Sequence, residues 1–466
     1  MIRTPDRTIA AVSMIALAAA AALLAQPGRY ENGLSRTPPM GWNTWNSFGG
    51  GNETIVKQTA DAMAANGMRD AGYQFVVIDE GWAQSRNTDG TIMVNATLFP
   101  SGILSLSTYI RSKGLRFGIY TSRGELACGG APGSSGWEQQ DANLYASYLA
   151  DYVKADGCGA NLHGPEVLQA ALMACGRPII LGVNQWGYHD GWDTVCNNWG
   201  TNGTDIGANW NSISTFIDQN EPLWPLARPG HWNNPDMLEV GNGSLTLEEN
   251  RTHFTMWCML AAPLFAGNDL RSMSTQVRDI LIDTALIAVN QDSLGRQARC
   301  VWRSADRLQS VWVKYMRDSS RAVTLLNQGP SSARISVAWP WLGWNAGVSC
   351  RVRDLWAKTE LGTMTDSCAA TVVSHGVVTL RVFPGTDSRG PRVQTAYNDT
   401  TFTTVLVLFD EPVHASSAQI AGNYTLDHGA SVSAARRRID KPDRKRQPAR
   451  LPLHQARRHA GVPECG

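Results

Sequence analysis

Several carboxylates of this 466-residue chain stand directly after short apolar runs, where a chain leaving a buried strand can present side chains to a pocket. Asp79 and Glu80 follow the run 74–78, Asp156 closes the run that begins at Tyr152, and Asp205 and Asp236 fall in Thr204-Asp205-Ile206 and Asn234-Pro235-Asp236. Cleaving a glycosidic bond needs two carboxyl groups flanking it. One attacks the anomeric carbon or activates water, and the other protonates the departing oxygen. Lys154, two residues before Asp156, would keep that carboxylate ionised and nucleophilic if the pair faces a pocket. The same spacing also makes an ordinary surface ion pair. Other hydrolytic chemistries lack their residues: there is no GxSxG, no HExxH and no CxxC, and the nine His are scattered.

Aromatic residues gather around the same positions. Of 17 Trp, eight (Trp42, Trp45, Trp82, Trp186, Trp192, Trp199, Trp210 and Trp232) lie near the expected strand ends. Flat apolar rings suit the CH faces of a sugar whose hydroxyls bond at the rim. Any one of them could equally pack a core, but eight near one face point to a sugar pocket.

The elements that must hold these residues follow from periodicity. Between about residues 36 and 296, apolar runs at 74–78, 115–120, 152–155, 178–183 and 263–266 alternate with amphipathic stretches such as 54–70, 102–113, 138–150 and 247–262. Such alternation over about 250 residues predicts a parallel (β/α)8 TIM barrel, whose strand C-termini carry the site. A doubly wound sheet is the alternative, but no GxGxxG follows the first strand. From 297 to 385 the pattern changes to period-two alternation broken by Asp, Ser, Asn and Gly, which predicts an antiparallel β-sandwich domain. A linker, PGTDSRGP, leads to a β-rich segment at 392–435 that is too short for a full sandwich. Residues 436–466 carry ten Lys/Arg and three Asp/Glu without any period, and read as a basic tail or as out-of-frame or truncated translation. Proteolysis near residue 390 is therefore expected.

Without that tail the chain has 31 basic and 37 acidic residues, so no nucleic-acid partner is expected. Residues 1–25, with Arg3 and Arg7 before the Ala-rich run from Ile9 to Ala25, have the form of a cleaved signal peptide. Secretion, and no membrane span after cleavage, are the expectations. Nine Cys in an exported chain suggest disulfides with at least one Cys left over; by spacing, Cys128–Cys158 and Cys350–Cys368 look like local pairs.

The longer motifs are recognisable. TPPMGWNTWN from Thr37, VIDEGW from Val77, FPSG from Phe99, GLRFGIY from Gly114, DYVKADGC from Asp151, WNNPDMLE from Trp232, AAPLFAGNDL from Ala261 and NQDSLG from Asn290 resemble glycoside hydrolase family 27, the α-galactosidase (melibiase) family. The resemblance spans about residues 35–385. It implies a (β/α)8 barrel followed by an antiparallel β-domain, a retaining double-displacement mechanism on carbohydrate, and no metal or cofactor. By position, Asp156 matches the nucleophile and Asp205 the acid/base. Asp79 and Lys154 match sugar-hydroxyl contacts, Trp45 a pocket wall, and Cys128–Cys158 the disulfide beside the nucleophile. Glu80, Tyr120, Gln185, Trp186 and Asp236 complete the expected substrate-binding set.

The chain also departs from the family pattern, as a divergent and bacterial member would. Glu80 stands for an Asp, Asn184-Gln185-Trp186 for Cys-Glu-Trp, Trp199-Gly200 for Trp-Arg, and Asn234 for an Asp; the spacer before Asp205 is one residue longer. Replacing Glu and Arg removes charge-assisted hydrogen bonds to ring hydroxyls. Terminal α-D-galactosides are the expected substrates. The alternatives are a β-L-arabinopyranoside or an α-1,6-glucan, a sugar-binding barrel without catalysis, and Asp190 or Asp193 as the acid/base.

Overall fold

The computed structural model describes residues 32–185, 187, 189–345, 347–385, 393–398, 405–409, 418–424 and 432–435. The expected signal peptide, the linker segment 386–392 and the basic tail lie outside them.

Eight short strands form one parallel sheet: β1 (Met40–Asn43), β2 (Phe75–Val77), β3 (Arg116–Ser122), β4 (Tyr152–Asp156), β5 (Ile180–Val183), β6 (Asn198–Gly200), β7 (Trp232–Asn234) and β8 (Leu264–Ala266). Their order is β8-β1-β2-β3-β4-β5-β6-β7. A parallel bridge between Leu238, just past β7, and Ala266 of β8 joins the two ends, so the sheet curls into the expected barrel. Strands buried on both faces need no alternation, which is why β2, β5 and β8 read as continuous apolar runs.

Helices cover the outside: α1 (Glu53–Ala65), α2 (Ile103–Ser112), α3 (Glu138–Ser147), α4 (Pro165–Ala174), α5 (Trp210–Asn220), α6 (Leu247–Met259), α7 (Thr275–Leu281) and α8 (Thr284–Asn290). Their starts are set by side chains that satisfy otherwise orphaned N–H groups. Asn52 accepts from Ile55, and Thr246 with Glu249 forms a reciprocal capping box on α6.

The antiparallel domain follows as β9 (Arg299–Arg303), β10 (Gln309–Tyr315), β11 (Arg321–Asn327), β12 (Ala333–Ala338), β13 (Ser349–Asp354), β14 (Thr359–Thr365), β15 (Ser367–Val372) and β16 (Val377–Pro384). Six of these make a sheet of order β9-β10-β11-β16-β13-β14, and β12 pairs with β15. Val311, Val323 and Leu325 of the larger sheet pack with Ile335, Val337 and Val372 of the smaller one. The pairing of Cys350 with Cys368 expected from their spacing is not formed. Cys350 sits on β13 and Cys368 on β15, in different sheets, and both are buried free thiols. Sequence proximity misled here because the β14 hairpin intervenes.

The barrel and the sandwich share a core. Trp312, Met316, Leu326 and Leu355 join the same apolar cluster as Phe254, Trp257 and Met259 of α6. The segment after residue 388 is a separate unit, in which strands 393–398 and 405–409 pair as an antiparallel hairpin.

Candidate active site at the strand C-termini

Six barrel strands and the loops that follow them deliver polar side chains to one cavity of about 560 Å3. It is lined by Asn43 and Trp45 from the end of β1, Asp79 and Glu80 from β2, Lys154 and Asp156 from β4, Asn184 from β5, Asp205 from the loop after β6, and Asn234 and Asp236 from β7. Strand register does the placing. Tyr120 lies beside Lys154 and Ser122 beside Asp156, so consecutive strand ends present their side chains at one level.

Lys154 is the hub of the charged wall. Its Nζ lies 2.7 Å from Asp79 Oδ2 and 3.8 Å from Asp156 Oδ2. It also faces the rings of Trp45 and Tyr120, with 5.8 and 5.3 Å to their centroids. Asp79 is held further by Asn43 Nδ2 at 2.9 Å and accepts the Glu80 N–H at 3.0 Å. Burial works against the Lys154 charge, but Asp156 and Asp79 outweigh it and hold the ammonium above its usual range.

Asp156 is pushed up to about 7. Burial is the main cause and Asp79 and Asp205 add to it, while Lys154 and the Tyr120 hydroxyl pull the other way. Its Oδ1 is buried and finds no hydrogen-bond partner among the described residues. An unsolvated carboxylate oxygen lining a cavity is available to attack.

Asp205 lines the same cavity, on a loop whose position depends on a neighbour. Asp236 Oδ2 accepts the N–H of Ile206 at 2.9 Å, and its Oδ1 accepts that of Met237 at 2.8 Å. Asp236 does so from a left-handed backbone conformation, φ 79°. Burial raises its carboxyl and those two N–H groups oppose the rise. It is thus an anchor for the Asp205 loop as well as a lining residue. Asp193 is tied to Arg228 at 3.0 Å, and neither it nor Asp190 lines the cavity.

Other expected residues are placed differently. Glu80 lines the cavity, but its Oε1 accepts the Gly129 N–H at 2.7 Å, so its longer arm grips the loop next to Cys128. Cys128 and Cys158 form a disulfide, Cα–Cα 5.1 Å. Gln185 turns away from the cavity and accepts a hydrogen bond from Arg123. Asn184 lines the wall in its place, because successive residues leaving a strand face opposite sides. Trp186 lies outside the described residues. Of the other Trp, Trp42, Trp82, Trp199 and Trp232 are fully buried packing residues, Trp210 stacks on His375 and Trp192 lies against Arg123. Only Trp45, 39% exposed, lines the cavity among the described seven.

The family comparisons agree with this architecture. Residues 37–292 match the model for α-galactosidase A, and residues 306–382 match that for the α-galactosidase C-terminal β-sandwich domain. The chain is 42% identical to the α-galactosidase of Cyamopsis tetragonoloba, over 74% of this chain and 86% of that one. It is 38% identical to α-galactosidase A of Cellvibrio japonicus, over 75% and 93%. The crystal structure of α-galactosidase I from Mortierella vinacea superposes with a TM-score of 0.73 at 33% identity, covering 76% of this chain and 98% of that one. With a plant enzyme at higher identity than a bacterial one, the expectation of a divergent, bacterial member has no support. The barrel, its β-sandwich and the carboxylate-lined cavity at the strand C-termini identify the chain as a glycoside hydrolase of the α-galactosidase A (melibiase) family.

Proposed function

We propose that the chain is a secreted retaining α-galactosidase that removes terminal α-D-galactosyl units. The observation that carries the reading is the unpaired, buried Oδ1 of Asp156 in a cavity that Asp205 also lines. Asp156 attacks the anomeric carbon and forms a glycosyl ester. Asp205 gives its proton to the departing oxygen, then takes one from the water that cleaves the ester, so the anomeric configuration is kept. Lys154, which bonds to Asp79 and faces Asp156, opposes the effect of burial on the Asp156 carboxylate, and Trp45 offers an apolar wall to the sugar. Relatives named α-galactosidases at about 40% identity favour galactosides over arabinopyranosides or glucans. The retained carboxylates disfavour a binding barrel without catalysis. Export rests on the run from Ile9 to Ala25.

The test is turnover of nitrophenyl α-galactoside, with β-L-arabinopyranoside, α-N-acetylgalactosaminide and an α-1,6-glucan alongside. Asp156→Asn is expected to lower kcat/KM at least about 10^4-fold, and the first-formed sugar is expected to be the α-anomer by NMR. Wild-type silence on the galactoside, or full activity in the variant, would reject the reading.

A further inference from the structure

Asp205 stands on a short arch. Gly203, Thr204 and Asp205 are exposed, while Thr201 and Asn202 before them and Ile206 after them are buried. The arch leaves β6 at Gly200 and reaches α5 at Trp210 without forming a helix or strand. It has no ladder of its own to fix it, so its place follows that of its two feet. One foot is the Ile206 N–H on Asp236 Oδ2. The other is Thr201, whose N–H and hydroxyl both donate to the Asn234 carbonyl, each at 3.1 Å. The two feet meet at one residue, because the Asp236 N–H donates to Asn234 Oδ1, also at 3.1 Å.

Thr201 is tied in the other direction to the start of the sandwich. Its Oγ1 accepts from Asn220 Nδ2, at the C-terminal end of α5, at 3.0 Å. Gln297 lies in the segment that joins α8 to β9. Its Nε2 donates to Asn220 Oδ1 at 2.8 Å and to the Asn220 carbonyl at 3.1 Å, and its Oε1 accepts from Asn233 Nδ2 of β7 at 2.7 Å. Thr201, Asn220, Asn233 and Gln297 are each no more than 6% exposed. Water does not compete for these bonds, and removing one member strands partners that are costly to leave unpaired. The bonds therefore run unbroken from the interdomain connection, through Thr201, to the residue on which both feet of the arch rest. Resting on Asp205 as the acid of the reaction proposed above, we infer that Thr201 is a positioning residue. It couples the Gln297–Asn220 pair to Asn234 and so sets where the Asp205 carboxyl stands relative to the departing oxygen. A displacement of about 1 Å is enough to cost a catalytic group on the order of 100-fold.

The test compares the purified full chain with three variants. Thr201→Val keeps the shape and removes the hydroxyl, Thr201→Ser restores the hydroxyl, and Gln297→Met cuts the network at its far end. The substrates are an alkyl α-galactoside, whose leaving group needs a proton, and dinitrophenyl α-galactoside, whose leaving group does not. Thr201→Val is expected to lower kcat/KM about 30-fold on the alkyl galactoside and less than about threefold on the dinitrophenyl one. Gln297→Met is expected to show the same split at about tenfold, and Thr201→Ser to stay within about threefold of wild type on both. Equal losses on the two substrates, or a wild-type rate for Thr201→Val on the alkyl galactoside, would overturn the assignment. Should Thr201→Val fail to fold, Gln297→Met decides by the same split. Hydrogen exchange of the peptide 201–209 gives an arm that needs no turnover. It is expected to be about tenfold faster in Thr201→Val and Gln297→Met and unchanged in Thr201→Ser, and unaltered exchange in all three would overturn the brace. Asp205→Ala separates this inference from the reading beneath it. If that variant loses equally on both substrates, the acid assignment fails, and the exchange arm still decides whether Thr201 braces the arch.

Discussion

Asp156 has to be an anion in a place that disfavours anions. It is buried, and Asp79 and Asp205 add negative charge around it, so its carboxyl stands at about 7 where an unfolded chain would have about 4. Between those two values the folded protein holds a proton that the unfolded chain has lost. Stability contributed by this residue therefore falls as pH rises from about 4 to 7, and above 7 the whole cost of the buried charge is present. Asp156→Asn removes the cost and leaves Lys154 bonded to Asp79 at 2.7 Å. The variant is expected to melt about 2 °C higher than wild type at pH 8 and within about 1 °C of it at pH 4. Scanning calorimetry at the two pH values checks this, and a variant that melts lower at pH 8 would mean that Asp156 supports the fold rather than burdening it. The same raised value predicts that kcat/KM falls on the acid side well above the ordinary carboxylate range, with an apparent pKa that belongs to the coupled cluster.

At the scale of the element, catalysis depends on how loops leave strands. The loop carrying Asp205 is fixed by the Ile206 N–H on Asp236 Oδ2, and Asp236 itself sits at φ 79°, a conformation that Asn tolerates and Ala does not. Asp236→Asn keeps one acceptor oxygen and the backbone. It is expected to retain kcat/KM within about tenfold, while Asp236→Ala loses about 100-fold. If Asp236 positions the acid, the loss in Asp236→Ala will be small for a dinitrophenyl galactoside, whose leaving group needs no proton, and large for an alkyl galactoside. Equal losses on the two would show a general structural role instead. Loops also mark the limit of what the sequence could tell. The (β/α)8 barrel was legible because apolar runs and amphipathic helical stretches alternate along the chain, and Asp79 and Asp156 were legible because each follows such a run, with Lys154 two residues before Asp156. β6 and β7 have only three residues each, with Asn among them, too short and too polar for any periodicity to register. Which of Asn184 and Gln185 faces the cavity depends on a single step of strand parity, and four of the seven described Trp near the strand ends are core residues because position along the chain does not say which way a ring points. The Cys350–Cys368 spacing failed for a related reason: sheet membership is decided by long-range pairing.

The whole molecule is held together by a junction that contains an awkward charge. The barrel meets the sandwich through α6, where Trp356 Nε1 bonds to Thr255 Oγ1 at 2.9 Å and His375 Nδ1 lies 2.7 Å from Glu249 Oε1. Trp312 and Leu326 complete an apolar cluster with Trp257 and Met259. Lys314 of β10 is fully buried in this junction, with its Nζ donating to the Cys258 carbonyl at 3.2 Å. Burial pushes its ammonium down to about 7, against about 10.5 in an unfolded chain. Between those values the unfolded chain binds a proton that the folded protein does not, so stability from this residue rises with pH across that window. Below 7 the full cost of the buried cation is felt. Lys314→Met keeps the length of the side chain and removes the charge. It is expected to stabilise the protein by about 1–3 kcal/mol at pH 6 and progressively less as pH approaches 10. Because the shared core couples the two domains, the gain should move a single unfolding transition rather than split it. Denaturant unfolding followed by Trp fluorescence at both pH values reads this directly. A Lys314→Met protein that is less stable at pH 6, or that unfolds in two steps, would mean that the bond to the Cys258 carbonyl is worth more than the burial of the charge costs.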